Sequence, residues 1–473
     1  MRLAADLRAA VLNAAMTGKL TEQRESELSL TKSLIKTSDK WKGELPSNWC
    51  SAPISSLSVG LSSGKSPDCK KEIVSSRNEW GVLTTTAVQA NNFLQGENKR
   101  LPESFSVDPK WIVNKGDVLI TRAGPMRRTG VACVVDSIDY KLILSDKIIR
   151  IEGVLINPFY LAMAINAPLV RSTIFPLMNG MDKQQVNLSQ KLISTIVIPV
   201  PPIEEQKRIV DRINEIMPAI NEYEEMENRL VALKEAFPGN LREAILFSAI
   251  QGKLTQQYDS DEPVANLKKR LTDRKTATGV ISKKDKLPMF QPTFDIPESW
   301  TWTTLSKLGT LSGGKTPSMQ DAENWVSPDV NWFTSKDMKQ KNLSESVMKI
   351  SLKASKELQL FPSGTLLMVV RSGILKHTLP LCVLTQEATI NQDLKAFTLL
   401  DNEMSEYVYW MLKGLQPEII TRYTKHVTTV DSLKMDEFFY QMPVPLPPIE
   451  EQRRIVERLN TILPLCDALA EDI

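Results

Sequence analysis

The chain has 473 residues, enough for two to four domains at roughly 100–200 residues each. Its 42% hydrophobic and 24% charged residues match an ordinary globular protein and exclude disordered and fibrous classes. Lys+Arg at 58 against Asp+Glu at 56 leave a net charge of +2, so there is no uniform basic coat and any anion binding must come from local patches.

Residues 1–40 open with a short helix at 7–17, ended by Gly18 as a left-handed cap. Arg2, Arg8 and the small apolar stretch Ala9–Met16 mimic a weak signal peptide, but the same stretch recurs inside the chain, so it is read as structure. Residues 41–202 mix the strand runs VLTTTAV, GDVLITRA, GVACVVD and LILSDKIIRIE with helices in NPFYLAMAINAPLVRSTI, the pattern of an α+β domain. Residues 203–290 begin with a long helix after Pro202, with Glu204 and Glu205 suited to its positive end. Its apolar residues Ile209, Ile213, Ile216, Ile220, Tyr223, Met226, Leu230, Leu233 and Phe237 alternate mostly by four and three, a coiled-coil seam. Pro218 predicts a kink or break. A second short helix at 241–251 ends at Gly252, and Lys253–Pro288 reads as an exposed linker. Residues 291–448 form a second α+β domain with strands in GTLLMVVR, LPLCVLT and DLKAFTLL and helices in MSEYVYWMLKGLQPEIITRY. Residues 449–473 carry a second seam, Ile455, Leu459, Ile462, Cys466, Leu469 and Ile473, interrupted by Pro464.

The order is that of a duplication. LRAAVLNAAMTGKLTEQ at 7–23 matches LREAILFSAIQGKLTQQ at 241–257 in 10 of 17 positions. IPVPPIEEQKRIVDRINEIMP at 198–218 matches VPLPPIEEQRRIVERLNTILP at 444–464 in 14 of 21. Such a period is too long for a solenoid and means a duplicated domain pair. Between the matches only echoes survive: PSNW at 46–49 against PESW at 297–300, SSGKSP at 62–67 against SGGKTP at 312–317, and Arg122/Gly124 against Arg371/Gly373. The first long helix runs into its short partner, whereas the second ends before one, and residues 7–17 supply it. The expected fold class is therefore α+β: two mixed domains separated by two long antiparallel coiled-coil helices, pseudo-two-fold and circularly arranged.

The five cysteines, Cys50, Cys69, Cys133, Cys382 and Cys466, are scattered without a C-x-x-C pair, which points to free thiols in a reducing cytoplasm. No apolar run approaches the roughly 18 residues of a membrane span, so no membrane partner is expected. His377 and His426 leave few candidates for histidine catalysis or metal binding. Gly309–Thr316 satisfies the P-loop pattern, but Pro317 follows and no helical period begins at Lys315, while the other copy lacks one spacer residue. A Gly/Ser loop presenting Lys65 and Ser66, or Lys315 and Thr316, to a polyanion backbone is the better reading. Arg122, Arg127 and Arg128 form the sharpest basic loop, of the type that clamps phosphates or reads guanine edges. Lys183 and Gln184, and Lys425 and His426, lie just upstream of the two long helices and are of a kind that addresses bases. Residues 41–200 carry 18 basic and 13 acidic residues, 291–446 carry 15 and 17, and 203–240 carry 5 and 9. The acidic helix is thus expected to bind protein rather than DNA. Methyltransferase, zinc-protease and serine-hydrolase signatures are missing, which speaks against a catalytic chain. Two rivals stand: a P-loop enzyme, and a coiled-coil scaffold with two protein- or peptide-binding domains.

The two PPIEEQ-(K/R)-RIV helices and the two GKLT segments resemble the specificity subunit of type I restriction–modification systems, and the resemblance runs over essentially the whole chain. SGGKTP, SSGKSP, NWFTSKDM at 331–338 and Asn391-Gln392-Asp393-Leu394-Lys395 also resemble family segments, while the first copy departs at the last with LSDKIIRI. The resemblance implies two target-recognition domains, 41–202 and 291–448, each reading one half of an asymmetric site on double-stranded DNA. It implies modification subunits (two of them) using S-adenosylmethionine, restriction/translocase subunits using ATP and Mg, and no cofactor or catalytic site in this chain. Expected DNA contacts are Lys65, Ser66, Arg122, Arg127, Arg128, Lys183 and Gln184 in the first domain. Those in the second are Lys315, Thr316, Ser335, Lys336, Arg371, Lys376, Lys425 and His426. Arg208 and Arg454, at matching positions outside the seams, are expected to contact partner subunits. A continuous 203–237 helix would span roughly 50 Å, beyond the roughly 34–36 Å of one DNA turn.

Overall fold

The computed structural model describes residues 3–27, 35–69, 72–326, 329–426 and 430–471. Arg2 and the last seam residue, Ile473, lie outside them. The chain divides into two units, Met1–Val231 and Ala232–Ile473. In the first, the strand runs assemble a four-stranded antiparallel sheet in the order Gly60–Ser63, Ile148–Glu152, Val118–Thr121, Ala132–Val134. The second repeats that order with Gly309–Gly313, Leu394–Leu399, Leu366–Val369 and Leu381–Leu384, and adds Asn342–Leu343 in parallel at the edge.

Each sheet is apolar on both faces, because alternate residues serve separate cores. Val118, Ile120, Ala132 and Ile149 pack on the helices Pro158–Asn166 and Pro168–Ile174, whereas Leu119, Cys133 and Ile148 join Leu83, Val88 and Leu144 behind. Leu366, Met368 and Phe397 face the helix Ser405–Gly414, and Leu367, Val369 and Ala396 face Phe333 and Ile390. The run LILSDKIIRIE is two strands, Lys141–Ile143 and Ile148–Glu152, joined by an exposed turn at Asp146 and Lys147. That turn matters below.

The repeated motifs meet in one hub per unit. Glu205, fully buried, accepts hydrogen bonds from Trp49 Nε1 at 2.8 Å, Gln23 Nε2 at 2.6 Å and Thr21 Oγ1 at 3.0 Å. Glu451 accepts the same bonds from Trp300 at 2.7 Å, Gln257 at 2.6 Å and Thr255 at 3.0 Å. A buried carboxylate is tolerable only with such a full set of donors. Above it, Tyr160 and Tyr407 donate to the carbonyls of Pro199 and Pro445, each at 2.9 Å. Burial, reinforced by the nearby Glu205 or Glu451 charge, pushes both phenols well above their usual range, so they remain donors. Gly18 and Gly252 sit at φ +71° and +70°, with the rings of Pro46 and Pro297 2.3 and 2.4 Å from where a Cβ would lie. GKLT-x-Q, P-x-x-W and PPIEEQ are thus three sides of one junction.

Helices flank each hub. In the first unit Leu3–Met16 runs antiparallel to the start of the long helix Ile203–Ile250, with Arg8 bonded to Asn221 and Glu224, both at 2.7 Å. In the second, the end of that helix runs antiparallel to Ile449–Glu471, with Arg242 bonded to Asp467 at 2.8 Å. Four expectations are corrected. Pro218 and Pro464 do not break their helices, which are continuous through both. A proline costs about 3 kcal/mol in a helix interior, and packing at Ile213 and Ile220, or at Leu463 and Cys466, outweighs it. Residues 241–250 are the end of the long helix, not a separate one. The seam is buried at Ile209, Ile213 and Ile220, but Tyr223, Met226, Leu230, Leu233 and Phe237 are exposed. Finally, Lys253–Pro288 is no exposed linker. Its helix Val264–Ala277 buries Leu267 and Leu271, one turn apart, and Lys275 is bonded to Asp285 and the Ser306 carbonyl.

Candidate nucleic-acid interface

In the first unit the expected residues converge at one end of the sheet. Ile149 pairs with Ser63, and Ile148 with Thr121, so the chain beyond each strand emerges at the same place. From Ser63 it leads into Gly64, Lys65 and Ser66, where the Lys65 N–H bonds to the Leu144 carbonyl at 3.1 Å. A Cβ on Gly64 would lie 1.7 Å from that carbonyl oxygen, so only glycine allows the approach. The Ser66 hydroxyl donates to Asp146 Oδ1 in the turn. Lys147 follows, and its carbonyl accepts from the Arg122 N–H at 2.9 Å. Gly124 then pairs with Val186, and Met126 N–H bonds to the Lys183 carbonyl at 2.9 Å. Lys65, Ser66, Arg127, Lys183 and Gln184 are exposed, and Arg122 and Arg128 are half-buried.

The second unit repeats the construction. Gly313 pairs with Lys395, and Val369 with Leu394, so Gly314–Thr316, Asn391–Asp393 and Arg371 share one sheet end. Lys315 N–H bonds to the Ile390 carbonyl at 3.1 Å, the same distance as in the first unit, and a Cβ on Gly314 would lie 2.2 Å from that oxygen. The Thr316 hydroxyl donates to Gln392 Oε1. Ser335 and Lys336 are exposed on a turn following Phe333, whose carbonyl accepts from Asn391 N–H at 2.9 Å. Arg371 bridges to Ser432, beside the Thr424–Lys425 and Ser432–Leu433 strand pair that carries Lys425 and His426. His426 Nδ1 lies 2.9 Å from the fully buried Asp431. Lys376 ends the turn Gly373–Lys376 and is exposed, and among the described residues no hydrogen bond ties it to the others. No helix begins at Lys315, since Gly309–Gly313 is a strand, so the P-loop geometry is missing here.

Two side chains of this surface, Lys147 and Arg171, escaped the sequence reading. Lys147 is exposed on the first sheet end, as are Gln185, which follows Lys183 and Gln184, and, on the second, Gln392 of the Asn391–Lys395 segment. Arg171 is buried behind the basic loop, donating to the carbonyls of Thr129 at 2.8 Å and Arg127 at 3.3 Å with its guanidinium stacked 4.8 Å from the Phe175 ring. Burial pushes its pKa down to about 10, so it still carries its charge at neutral pH. Its only sequence signal was an arginine in an otherwise uncharged helix. Arg208 and Arg454, expected to face partners, close onto their own units. Arg208 pairs with Glu27, and Arg454 with Asp261 at 2.6 Å, while the Tyr258 ring lies 4.6 Å away. These pairs hold the chain after each GKLT-x-Q segment against the helix.

Among the described residues no group of three or more His, Cys, Asp or Glu side chains is placed to hold a metal ion. No helix among them is long and apolar enough to cross a membrane.

Two equivalent sheet ends, each with lysine, arginine and amide groups around a glycine-tightened loop, define a protein with two separate polar, basic surfaces. The family model of the type I restriction modification DNA specificity domain matches twice, over residues 68–230 and 297–473. The chain belongs to that family. It is 35% identical over 195 residues to the type I restriction enzyme EcoEI specificity subunit of Escherichia coli, covering 41% of this chain and 33% of that protein. To the EcoR124I/EcoR124II specificity subunit of Escherichia coli it is 33% identical over 177 residues, covering 36% and 43%. The chain thus spans between a third and a half of the length of these relatives. A solved HsdS subunit from Thermoanaerobacter tengcongensis aligns over 91% of this chain and 93% of its own, with 18% identity and a TM-score of 0.46.

Proposed function

We propose that this chain is the non-catalytic subunit that reads a bipartite, asymmetric sequence on double-stranded DNA, one half per recognition domain. The observation that carries the reading is the repeated sheet end. The same strands and the same glycine contact present exposed lysines and arginines in both domains, with different side chains beside them. Lysines and arginines of this kind hold phosphates, and the variable polar groups between them read base edges. Two modification subunits using S-adenosylmethionine would supply methylation, and restriction subunits using ATP and Mg would supply cleavage, in the cytoplasm. The acidic long helix suits those protein partners, and in the first unit Tyr223, Met226 and Leu230 leave an exposed apolar stripe at i, i+3 and i+7. The family match disfavours a peptide-binding scaffold.

The test is the methylated motif. Cells carrying the chain and its cognate modification subunits should methylate a two-part sequence. Exchange of residues 41–202 for the matching domain of a relative should change one half alone. A change in both halves or in neither refutes the reading.

A further inference from the structure

Within each basic sheet end the hydroxyl after the Gly-Lys pair holds one exposed side chain of the facing turn. In the first domain it is Asp146. It lies in the turn Ser145–Lys147, between Lys65, whose N–H is bonded to Leu144, and Lys147, whose carbonyl is bonded to Arg122. A carboxylate here would be repelled by a DNA backbone drawn in by its neighbours. It is also held in place. Ser66 donates to Oδ1 and in turn accepts from the Asp146 N–H at 3.3 Å, which leaves Oδ2 without a partner among the described residues. In the second domain the matching position is Gln392. Lys315 mirrors Lys65, Ile390 mirrors Leu144 and Thr316 mirrors Ser66, and Thr316 donates to Gln392 Oε1. The amide Nε2 is left without a partner among the described residues. Residue identity does not align the two turns, since SDKII and NQDLK are identical at no matched position. Their backbone bonds do.

We infer that Asp146 and Gln392 are the equivalent base-reading residues of the two domains, and that they select opposite classes of base. A carboxylate only accepts, so Asp146 demands a base that donates into the major groove, cytosine through N4 or adenine through N6. Gln392, its oxygen engaged by Thr316, presents N–H groups and demands an acceptor, guanine O6 or N7 or thymine O4; adenine offers N7 too, but beside an N6 donor that Gln392 cannot match. The hydroxyl after each Gly-Lys fixes the reading group and so sets which face of it meets the DNA. The inference rests on the DNA-reading role proposed above and adds to it the chemical class of one base in each half-site.

Two variants test it in the assembled complex, with motifs read by sequencing methylated bases genome-wide. In Asp146→Asn the amide oxygen takes the Ser66 hydroxyl, as Gln392 takes that of Thr316, and the amide presents N–H groups, so one position of the first half-site should turn from an amino base towards a keto base. Discrimination there should fall roughly five- to hundred-fold, with the second half unchanged. Gln392→Glu should turn one keto position of the second half-site towards an amino base. A wild-type complex that yields no two-part motif removes the DNA-reading role, and this inference with it. A wild-type motif that is clear while both variants keep every position at wild-type stringency overturns the inference alone. A uniform fall in methylation without any change of motif overturns it too, since that is the signature of a residue that only braces its loop.

Discussion

Glu205 and Glu451 hold their tryptophans at 2.8 and 2.7 Å, their glutamines both at 2.6 Å and their threonines both at 3.0 Å. At the sheet ends the backbone matches as closely, with Lys65 and Lys315 each 3.1 Å from a carbonyl, yet the position held by Asp146 in the first unit is held by Gln392 in the second, and the basic loop Arg122–Arg128 has no counterpart of similar charge density. The difference follows from what pays for each structure. In the hub a buried charge depends on side-chain donors, and losing any one leaves a polar group stranded at about 1–3 kcal/mol. At the sheet end backbone bonds hold the loop, so exposed side chains can change without cost to the fold. A scaffold fixed by side chains and a surface fixed by backbone is what lets the exposed groups differ between two units of one architecture.

Breaking a hub should give the largest effect. Glu451→Ala strands the Trp300, Gln257 and Thr255 donors together and should cost the second unit about 3 kcal/mol or more, read as an earlier urea midpoint. Glu205→Ala should do the same to the first. If either variant unfolds like the wild type, the hub is not what keeps the motifs alike. Glycine substitutions come next. Gly252→Ala forces a left-handed residue to carry a Cβ 2.4 Å from the Pro297 ring, and should cost about 1–2 kcal/mol from backbone strain alone. Gly239→Ala, inside the long helix that Gly252 follows and with nothing within 4 Å of its Cβ, should instead stabilise by about 0.5–1 kcal/mol. Opposite signs from two glycines thirteen positions apart would separate the cap from mere helix propensity.

The same contrast decides what was legible in the sequence. The hub motifs were visible as repeats because buried donors and acceptors constrain identity, and Gly18 and Gly252 were recognisable as caps. Their mutual contact was not visible, because Trp49 and Glu205 are 156 residues apart. The helix breaks expected at Pro218 and Pro464 failed because tertiary packing overrides a local penalty, and the docked helix Val264–Ala277 was hidden in a strongly charged segment with only two buried leucines. At the reading surface the arginines and lysines stood out by type. Asp146 and Gln392 did not, since their segments, LSDKIIRI and Asn391–Lys395, correspond in sequence only as a departure, and the residue-by-residue match rests on backbone bonds.

A smaller, local effect should mark the support of the basic loop. Arg171→Met keeps the apolar stem but removes both donors to Thr129 and Arg127. Global stability should move by less than about 2 kcal/mol, since the loss of two hydrogen bonds is partly offset by no longer burying a charge. Hydrogen exchange should nevertheless speed up at the Arg128 and Thr129 amides, which bond to the Pro125 carbonyl at 2.8 and 3.0 Å. DNA affinity should fall, and its salt dependence should become shallower if Arg127 or Arg128 loses a phosphate contact. Unchanged exchange at those two amides would show that the loop stands without its buried arginine.

The smallest effect should appear in acid, at the arginine clamps beside each hub. The hydrogen bond from Arg454 holds the Asp261 carboxyl below its ordinary value, and Arg208 does the same for Glu27. For a carboxyl depressed by folding, the stabilisation is complete above the unfolded value, about 3.9 for Asp and 4.3 for Glu. It is lost as the pH falls through that value towards the folded one. Wild-type stability should therefore decline below about pH 4 more steeply than that of Asp261→Asn or Glu27→Gln, whose clamps no longer titrate. The other depressed carboxyls, such as Glu79 and Asp108, titrate alike in all three proteins and cancel in the comparison. Because the arginines remain partly exposed, the difference at neutral pH should stay within about 1 kcal/mol. Urea midpoints measured from pH 7 to pH 3 decide it. Parallel curves for variant and wild type would mean that the clamps add geometry to the hubs and no stability, leaving the buried glutamates alone to hold each unit's helices to its recognition domain.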